Sequence, residues 1–218
     1  MPRTSGTTRT SRTKAPRPYH HGDLRRALLR EAARAIRTEG PEGITLRDVG
    51  RRLGVSRTAL YRHFADKGAL LASVARQGFQ TFSRKLQEAW NGAGGGVAGF
   101  EAMGTAYVRF AIANQAHYRI MFGRFKDLCS SDAALAADAS ASFQVLVDAL
   151  VSLQQAGTIR AGNPQELGRF IWATVHGVAM LTIDGQLGPS RAAADSLTTF
   201  TIARLSAGLR VDLSSASG

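Results

Sequence analysis

Apolar residues recur along this chain at three- and four-residue spacing, and nowhere do they alternate one by one as they would on a half-buried strand. A first stripe, Leu24, Ala27, Leu28, Ala35 and Ile36, predicts a helix from about Asp23, a good N-cap, to Glu39, where Gly40-Pro41 stops it. Thr45 caps a second, short helix carrying Leu46, Val49 and Leu53, closed by Gly54, the residue best suited to a left-handed C-terminal turn. After Val55, Ser56 caps a third helix with Leu60 and Phe64 facing inward. A fourth opens around Asp66-Lys67 and carries Leu70, Leu71, Val74, Phe79, Phe82 and Leu86 as far as about Trp90. The glycines of 91–96 end it, since each costs about 1 kcal/mol in a helix relative to Ala. Apolar periodicity returns over 100–115, 118–122, 133–156, 164–187 and 192–209, so the expected fold class is all-α.

Charge divides the chain where the pattern does. Residues 1–85 hold 19 Lys and Arg against 6 Asp and Glu, and residues 86–218 hold 9 against 10. A cationic module beside a near-neutral one points the first at a polyanion, with binding that weakens steeply as salt rises. Nucleic acid fits better than a membrane surface, because no broad apolar face accompanies the charge. Residues 1–18, rich in Thr, Ser, Arg and Pro, read as a disordered basic arm, either simply solvated or tracking phosphates and a minor groove.

At 218 residues the chain can bury a core without staples. Its single Cys129 cannot close an intramolecular disulfide, the first twenty residues lack a signal-type apolar stretch, and the apolar run at 170–181 is interrupted by Thr174, His176 and Gly177. A soluble, cytoplasmic protein is expected, with no membrane partner. His20-His21 lacks further ligands at metal spacing and suits capping or a phosphate contact, so neither a metal nor a cofactor is expected.

Two short helices joined by a Gly turn, with Val49, Leu53, Val55, Leu60 and Phe64 inward, form a helix-turn-helix whose second helix fits a DNA major groove. Its outward side chains are Arg57, Thr58, Tyr61 and Arg62, with His63 beside them. Arg57 and Thr58 stand at the N-terminal end, where base edges are reached, while Tyr61, His63 and Lys67 flank the helix at phosphate height. Thr45 and Ser56 complete the candidate DNA-binding set, and helix N-termini at Thr45 and Lys67 face the anionic strand.

The segment VGRRLGVSRTALYRHFADKGALL, 49–71, resembles the DNA-binding signature of the TetR family of bacterial regulators. YHHGDLRRALLREA, 19–32, is similar to the opening helix of one branch of that family, and WATVHGVAML, 172–181, to a helix of the same branch's C-terminal domain. Gly50 stands where the family commonly has Ala and Gly68 where a charge is usual. The resemblance implies a helix-turn-helix domain at 19–66, a helical ligand-binding and dimerisation domain at 67–210 entered by the long fourth helix, and a tail at 211–218. It further implies a homodimer through the helices at 164–187 and 192–209, a small-molecule effector and a double-stranded DNA operator.

In the second domain Phe100, Met103, Tyr107, Phe110, Met121, Phe122, Phe125, Phe143, Trp172 and His176 are equally good pocket walls and core residues. The apolar girdle of 164–187 exceeds what one face can bury, which suits a partner helix, though a buried central helix in a monomer would show it too. The function expected is a sequence-specific repressor released by ligand. A nonspecific architectural DNA-binding dimer is the alternative. An enzyme is disfavoured, since residues 86–218 show no paired carboxylates, His-Cys pair or phosphate loop.

Overall fold

A computed structural model describes residues 21–123, 132–187 and 191–210, with the side chains of 21–23 and 191 left aside. The expected basic arm, His20-His21, Phe125, Cys129 and the tail lie outside those described residues and side chains. Among the described residues the helices are α1 (His21–Gly43), α2 (Leu46–Arg52), α3 (Arg57–His63), α4 (Lys67–Gly92), α5 (Gly96–Ala113), α6 (Gln115–Phe122), α7 (Ala133–Gln155), α8 (Pro164–Ile183) and α9 (Arg191–Leu209). An isolated bridge between Ile159 and Arg210 is the extended pairing present, closed by Arg160 N–H donating to the Leu209 carbonyl at 3.0 Å.

Local chemistry sets these boundaries. The side chains of Thr45, Ser56, Asp66, Asp132 and Asn163 each accept a backbone N–H from the first turn of the helix that follows, satisfying donors a helix leaves free at its start. Gly40, at φ 73° and ψ 163°, breaks α1 where the sequence predicts, and Pro41 opens a last short turn beyond it. At its other end α1 is already helical at His21, ahead of Asp23, the expected cap. Gly94, Gly95 and Gly96 all hold positive φ, so the turn between α4 and α5 is tighter than the expected loop and α5 begins four residues early. The helix expected over 164–187 ends at Ile183, because Gly185 turns the chain at φ 71°.

One hydrophobic cluster runs the length of the molecule. Leu28, Ala32 and Ile36 of α1 pack with Val49, Leu60, Phe64, Leu70 and Leu71 beneath the helix-turn-helix, and α4 carries the same cluster on through Val74, Phe79, Phe82 and Leu86 into α5 to α9. Packed against α4 lie α1, α5, α6 and α7, and α6 touches α1 as well. α4 and α6 come close at Gly78, where a Cβ would stand 2.5 Å from Met121 Sδ and 3.2 Å from His117 Cβ.

Among the described residues α7, not 170–181, is the helix apolar enough by length and composition to cross a membrane, with mean hydropathy 1.4. Its buried face of Leu135, Val147, Leu150 and Leu153 packs against α4, α5 and α8, and Asp138 is fixed to α4 by Arg76 at 2.9 Å and Gln80 at 3.0 Å.

Gly54 closes the helix-turn-helix at φ +65°, with open space around an added Cβ. Strain rather than crowding therefore sets the cost of replacing it. Gly54→Ala is expected to destabilise the protein by about 1–2 kcal/mol and Gly54→Asn by less, since Asn tolerates the left-handed region. Urea midpoints for the two variants check this; equal midpoints would show that the turn is not held left-handed.

Candidate functional site

The candidate DNA-contact surface is built from the turn outward. Val55 N–H donates to the Gly50 carbonyl at 2.9 Å and Leu53 N–H to the same carbonyl at 3.2 Å, folding α3 back across α2. Gly50, the departure from the usual Ala, lies against Leu60, whose Cδ2 would be 2.9 Å from a Cβ there, so the missing methyl brings α2 and α3 together. Leu60 and Phe64 are 2 % exposed, which pins one face of α3 inward and leaves Arg57, Thr58, Tyr61 and Arg62 outward. Tyr61 is 43 % exposed, with the Arg57 guanidinium 5.6 Å from its ring centroid, so the two side chains are held as a pair.

The other predicted contact residues divide. Ser56 is exposed, its hydroxyl accepting from Ala59 N–H at 3.3 Å, and His63 is half-buried. The Thr45 hydroxyl accepts from Asp48 N–H at 3.1 Å and donates to the Asp48 carboxylate, so its side chain is committed to capping. Lys67 Nζ donates to the Glu42 carbonyl at 3.0 Å, tying the start of α4 to the end of α1. Sequence reasoning missed Arg25, which donates to Ser73 Oγ at 3.0 Å and lies over the Phe64 ring at 5.4 Å. It also missed the pairing of Arg52 with Glu39 at 2.7 Å, which ties α2 to α1. An ion pair so open to solvent adds little stability, so its part is orientation.

A second feature is a cavity of about 740 Å³ among α4 to α9, within the range that takes small organic molecules. Phe100, Met103, Tyr107, Met121, Phe122, Phe143, Trp172 and His176 line it. Phe110 does not. It is buried against Phe82 with ring centroids 5.1 Å apart. Walls that sequence reasoning missed include Phe79, Phe82 and Leu86 of α4, Leu135, Ala139, Ser142 and Leu146 of α7, Arg169 of α8, and Ile202 and Leu205 of α9. In one corner Tyr118 Oη lies 2.6 Å from His176 Nδ1 and 2.9 Å from Tyr107 Oη, and Trp172 Nε1 donates to Tyr107 Oη at 3.0 Å. Burial pushes the Tyr107 phenol up to about 12 and the Tyr118 phenol further from its ordinary value, so both stay protonated, and it holds His176 below the ordinary imidazole range.

Outside, α8 and α9 keep large apolar side chains in the open. Phe170 is 60 % exposed, Leu181 43 % and Phe200 57 %, and Gly177, on the Phe170 and Leu181 face of α8, has open space beside it. This is the apolar excess that the sequence pattern of 164–187 foretells.

A basic helix-turn-helix carried on one long helix that also walls an apolar cavity defines a class, the one-component DNA-binding regulators. Residues 28–74 match the family model for bacterial regulatory proteins of the tetR family, and residues 100–205 that for the tetracyclin repressor-like C-terminal domain. A solved protein of unknown function from Rhodococcus sp. RHA1 is similar over 90% of this chain and 100% of its own, at 32% identity and a TM-score of 0.79. A TetR-family transcriptional regulator from Pectobacterium atrosepticum shares the fold at a TM-score of 0.69 and 22% identity, covering 88% of this chain and 96% of its own. The tetracycline repressor protein class C of Escherichia coli is 45% identical over 51 residues, a match that spans 23% of each chain. The chain belongs to the TetR family of bacterial transcriptional regulators.

Burial holds both His117 and His176 below 6.5, the ordinary imidazole value. The unfolded chain therefore takes up these two protons at higher pH than the folded one, so stability falls as pH drops below about 6.5 and levels off once the folded imidazoles titrate. Glu31 and Glu39, held low by hydrogen bonds from Arg34 and Arg52, titrate beneath that window. The urea midpoint is expected to drop as the pH falls through about 6.5. Most of the drop should vanish in the doubly substituted His117→Gln, His176→Asn protein; if it persists there, other groups cause it.

Proposed function

We propose that this regulator acts in the cytoplasm as a homodimeric repressor, which reads a palindromic operator with two copies of α3 and leaves it when a small molecule occupies the cavity. The observation that carries this reading is the outward face of α3, where Arg57, Thr58, Tyr61 and Arg62 stand exposed on a helix pinned from behind by Leu60 and Phe64. Arg57 offers a two-pronged donor that suits guanine, Thr58 a hydroxyl and a methyl, and Tyr61 a phenol at phosphate height. Ser56, Arg62 and His63 complete the contact face. Thr45 and Lys67 contribute through the helix N-termini they hold and, for Lys67, through the ammonium protons that Glu42 does not take.

Residues 19–66 serve as the DNA-binding domain and 67–210 as the domain for ligand and partner. The exposed Phe170, Leu181 and Phe200 support pairing of α8 and α9 with their symmetry mates, which would bury all three. The pair would set the two recognition helices one duplex turn apart, roughly 34–36 Å. Release works through α4 and α6. Phe79, Phe82, Met121 and Phe122 wall the cavity, while the same two helices pack on α1, so a ligand that prefers another packing of these aromatics changes the spacing of the DNA-binding domains.

Sequencing the genomic fragments that the purified protein retains tests the reading, since a short palindrome supports it and even coverage favours an architectural role. On the recovered operator, Arg57→Ala is expected to cost about 1–3 kcal/mol and to relax the preference at one base position, while Tyr61→Ala weakens all sequences alike. Titrations of both variants that overlay the wild type would remove α3 from the contact face.

A further inference from the structure

Besides Ser142, whose hydroxyl proton goes to the Ala139 carbonyl at 2.7 Å, the cavity has one polar corner and one charged wall residue, and these two describe a ligand. In the corner Tyr107 Oη, Tyr118 Oη and His176 Nδ1 form a triangle with sides of 2.9, 2.6 and 3.2 Å, and Trp172 Nε1–H points at Tyr107 Oη from 3.0 Å. If Nδ1 carried a proton, the triangle would hold three protons and no bare nitrogen, and one phenol proton would lack an acceptor within it. With Nδ1 bare every proton is placed: Trp172 donates to Tyr107, Tyr107 to Tyr118, and Tyr118 to His176. The imidazole, kept neutral by burial, then carries its proton on Nε2.

Nε2 has no acceptor among the described residues, since both bonds to His176 end on Nδ1. Every fully buried side-chain nitrogen or oxygen among those residues has a partner, so Nε2 borders open space, and His176 lines the cavity. The network thus delivers one neutral donor into an apolar chamber. Two turns earlier on the same face of α8, about 10 Å away along the axis, stands Arg169. It is the one charged side chain among the described residues lining the cavity, it is exposed, and it has no carboxylate within ion-pair distance among the described residues. Trp172 and Ala173, also exposed, share its stretch of wall, which makes this the mouth.

We propose that the cavity takes an elongated apolar acid, whose carboxylate meets Arg169 at the mouth and whose ketone or hydroxyl oxygen, about 10 Å along its body, accepts from His176 Nε2. The charge belongs at the mouth because a guanidinium grips a carboxylate with two parallel bonds where water still reaches. In the inner corner a carboxylate would lose its hydration against a neutral imidazole and aromatic rings. The inference rests on the cavity being the effector site of the regulator proposed above.

Calorimetric titration of the full-length protein with 10-oxooctadecanoate, its methyl ester and octadecanoate tests it, the ketone lying roughly the required distance along the extended chain. The oxo acid is expected to bind about tenfold tighter than either of the other two, each lacking one of the two contacts. Arg169→Gln should bring acid and ester level, and Arg169→Lys should restore the acid's preference. His176→Asn, which keeps an acceptor for Tyr118 but has no donor at the Nε2 position, should level the oxo acid with octadecanoate. Equal binding of acid and ester by the wild type, or preferences that survive Arg169→Gln and His176→Asn, would overturn the assignment. Operator titration of the same preparation separates the two readings. Specific DNA binding by protein that ignores all three probes defeats this inference alone, whereas failure to select any DNA sequence defeats the regulator.

Discussion

The apolar face of α4 is shared between two tasks that would otherwise fall to separate cores. Its first two turns, Leu70, Leu71 and Val74, lie fully buried beneath the helix-turn-helix, and its later turns present Phe79, Phe82 and Leu86 to the cavity. Protein interiors pack as densely as organic crystals and pass displacement on rather than absorb it. A continuous cluster from Leu28 to Leu205 therefore joins the packing beneath α3 to the walls of the chamber. Gly78 tightens that packing, because the missing side chain lets α6 lie against α4 where α6 also meets α1.

The same economy governs the polar groups. In the recognition unit, polar side chains cap helices, as Thr45, Ser56 and Asp66 do, or tie helices at their edges, as Arg25, Arg52 and Lys67 do. Those tasks leave Arg57, Thr58 and Arg62 exposed on the outer face of α3. In the second module the polar groups turn inward, where Tyr107, Tyr118, Trp172 and His176 satisfy one another almost completely within an apolar wall. An unpaired polar group there is costly, which is why these side chains pair with one another inside the apolar wall.

How legible each part was in the sequence follows from the range of its signals. Caps, the Gly54 turn and the inward residues of α2 and α3 all fall within about twenty residues, and each reports a local backbone requirement. What the sequence left unseen came where a distant partner decides. The Lys67 ammonium is drawn to the Glu42 carbonyl, which lies next to it in space and 25 positions away in sequence. Phe110 and Phe100 are alike in type and burial, and nothing local tells that one wall faces Phe82 and the other the chamber.

The amino-acid sequence by itself determined the all-α class, the position of α3, the basic residues on its exposed face and the surplus of apolar residues on the α8 segment. Helix periodicity, capping and charge act over a few residues, so they can be read in one dimension. Tertiary structure decided where empty space lies. The cavity takes its walls from six helices, and the rotation of each about its axis settles whether an aromatic residue fills the core or faces a ligand. Arg169 and His176, seven residues apart, share a face of α8 by helix geometry alone, and only the seating of α8 against α5 and α7 turns that face toward the chamber.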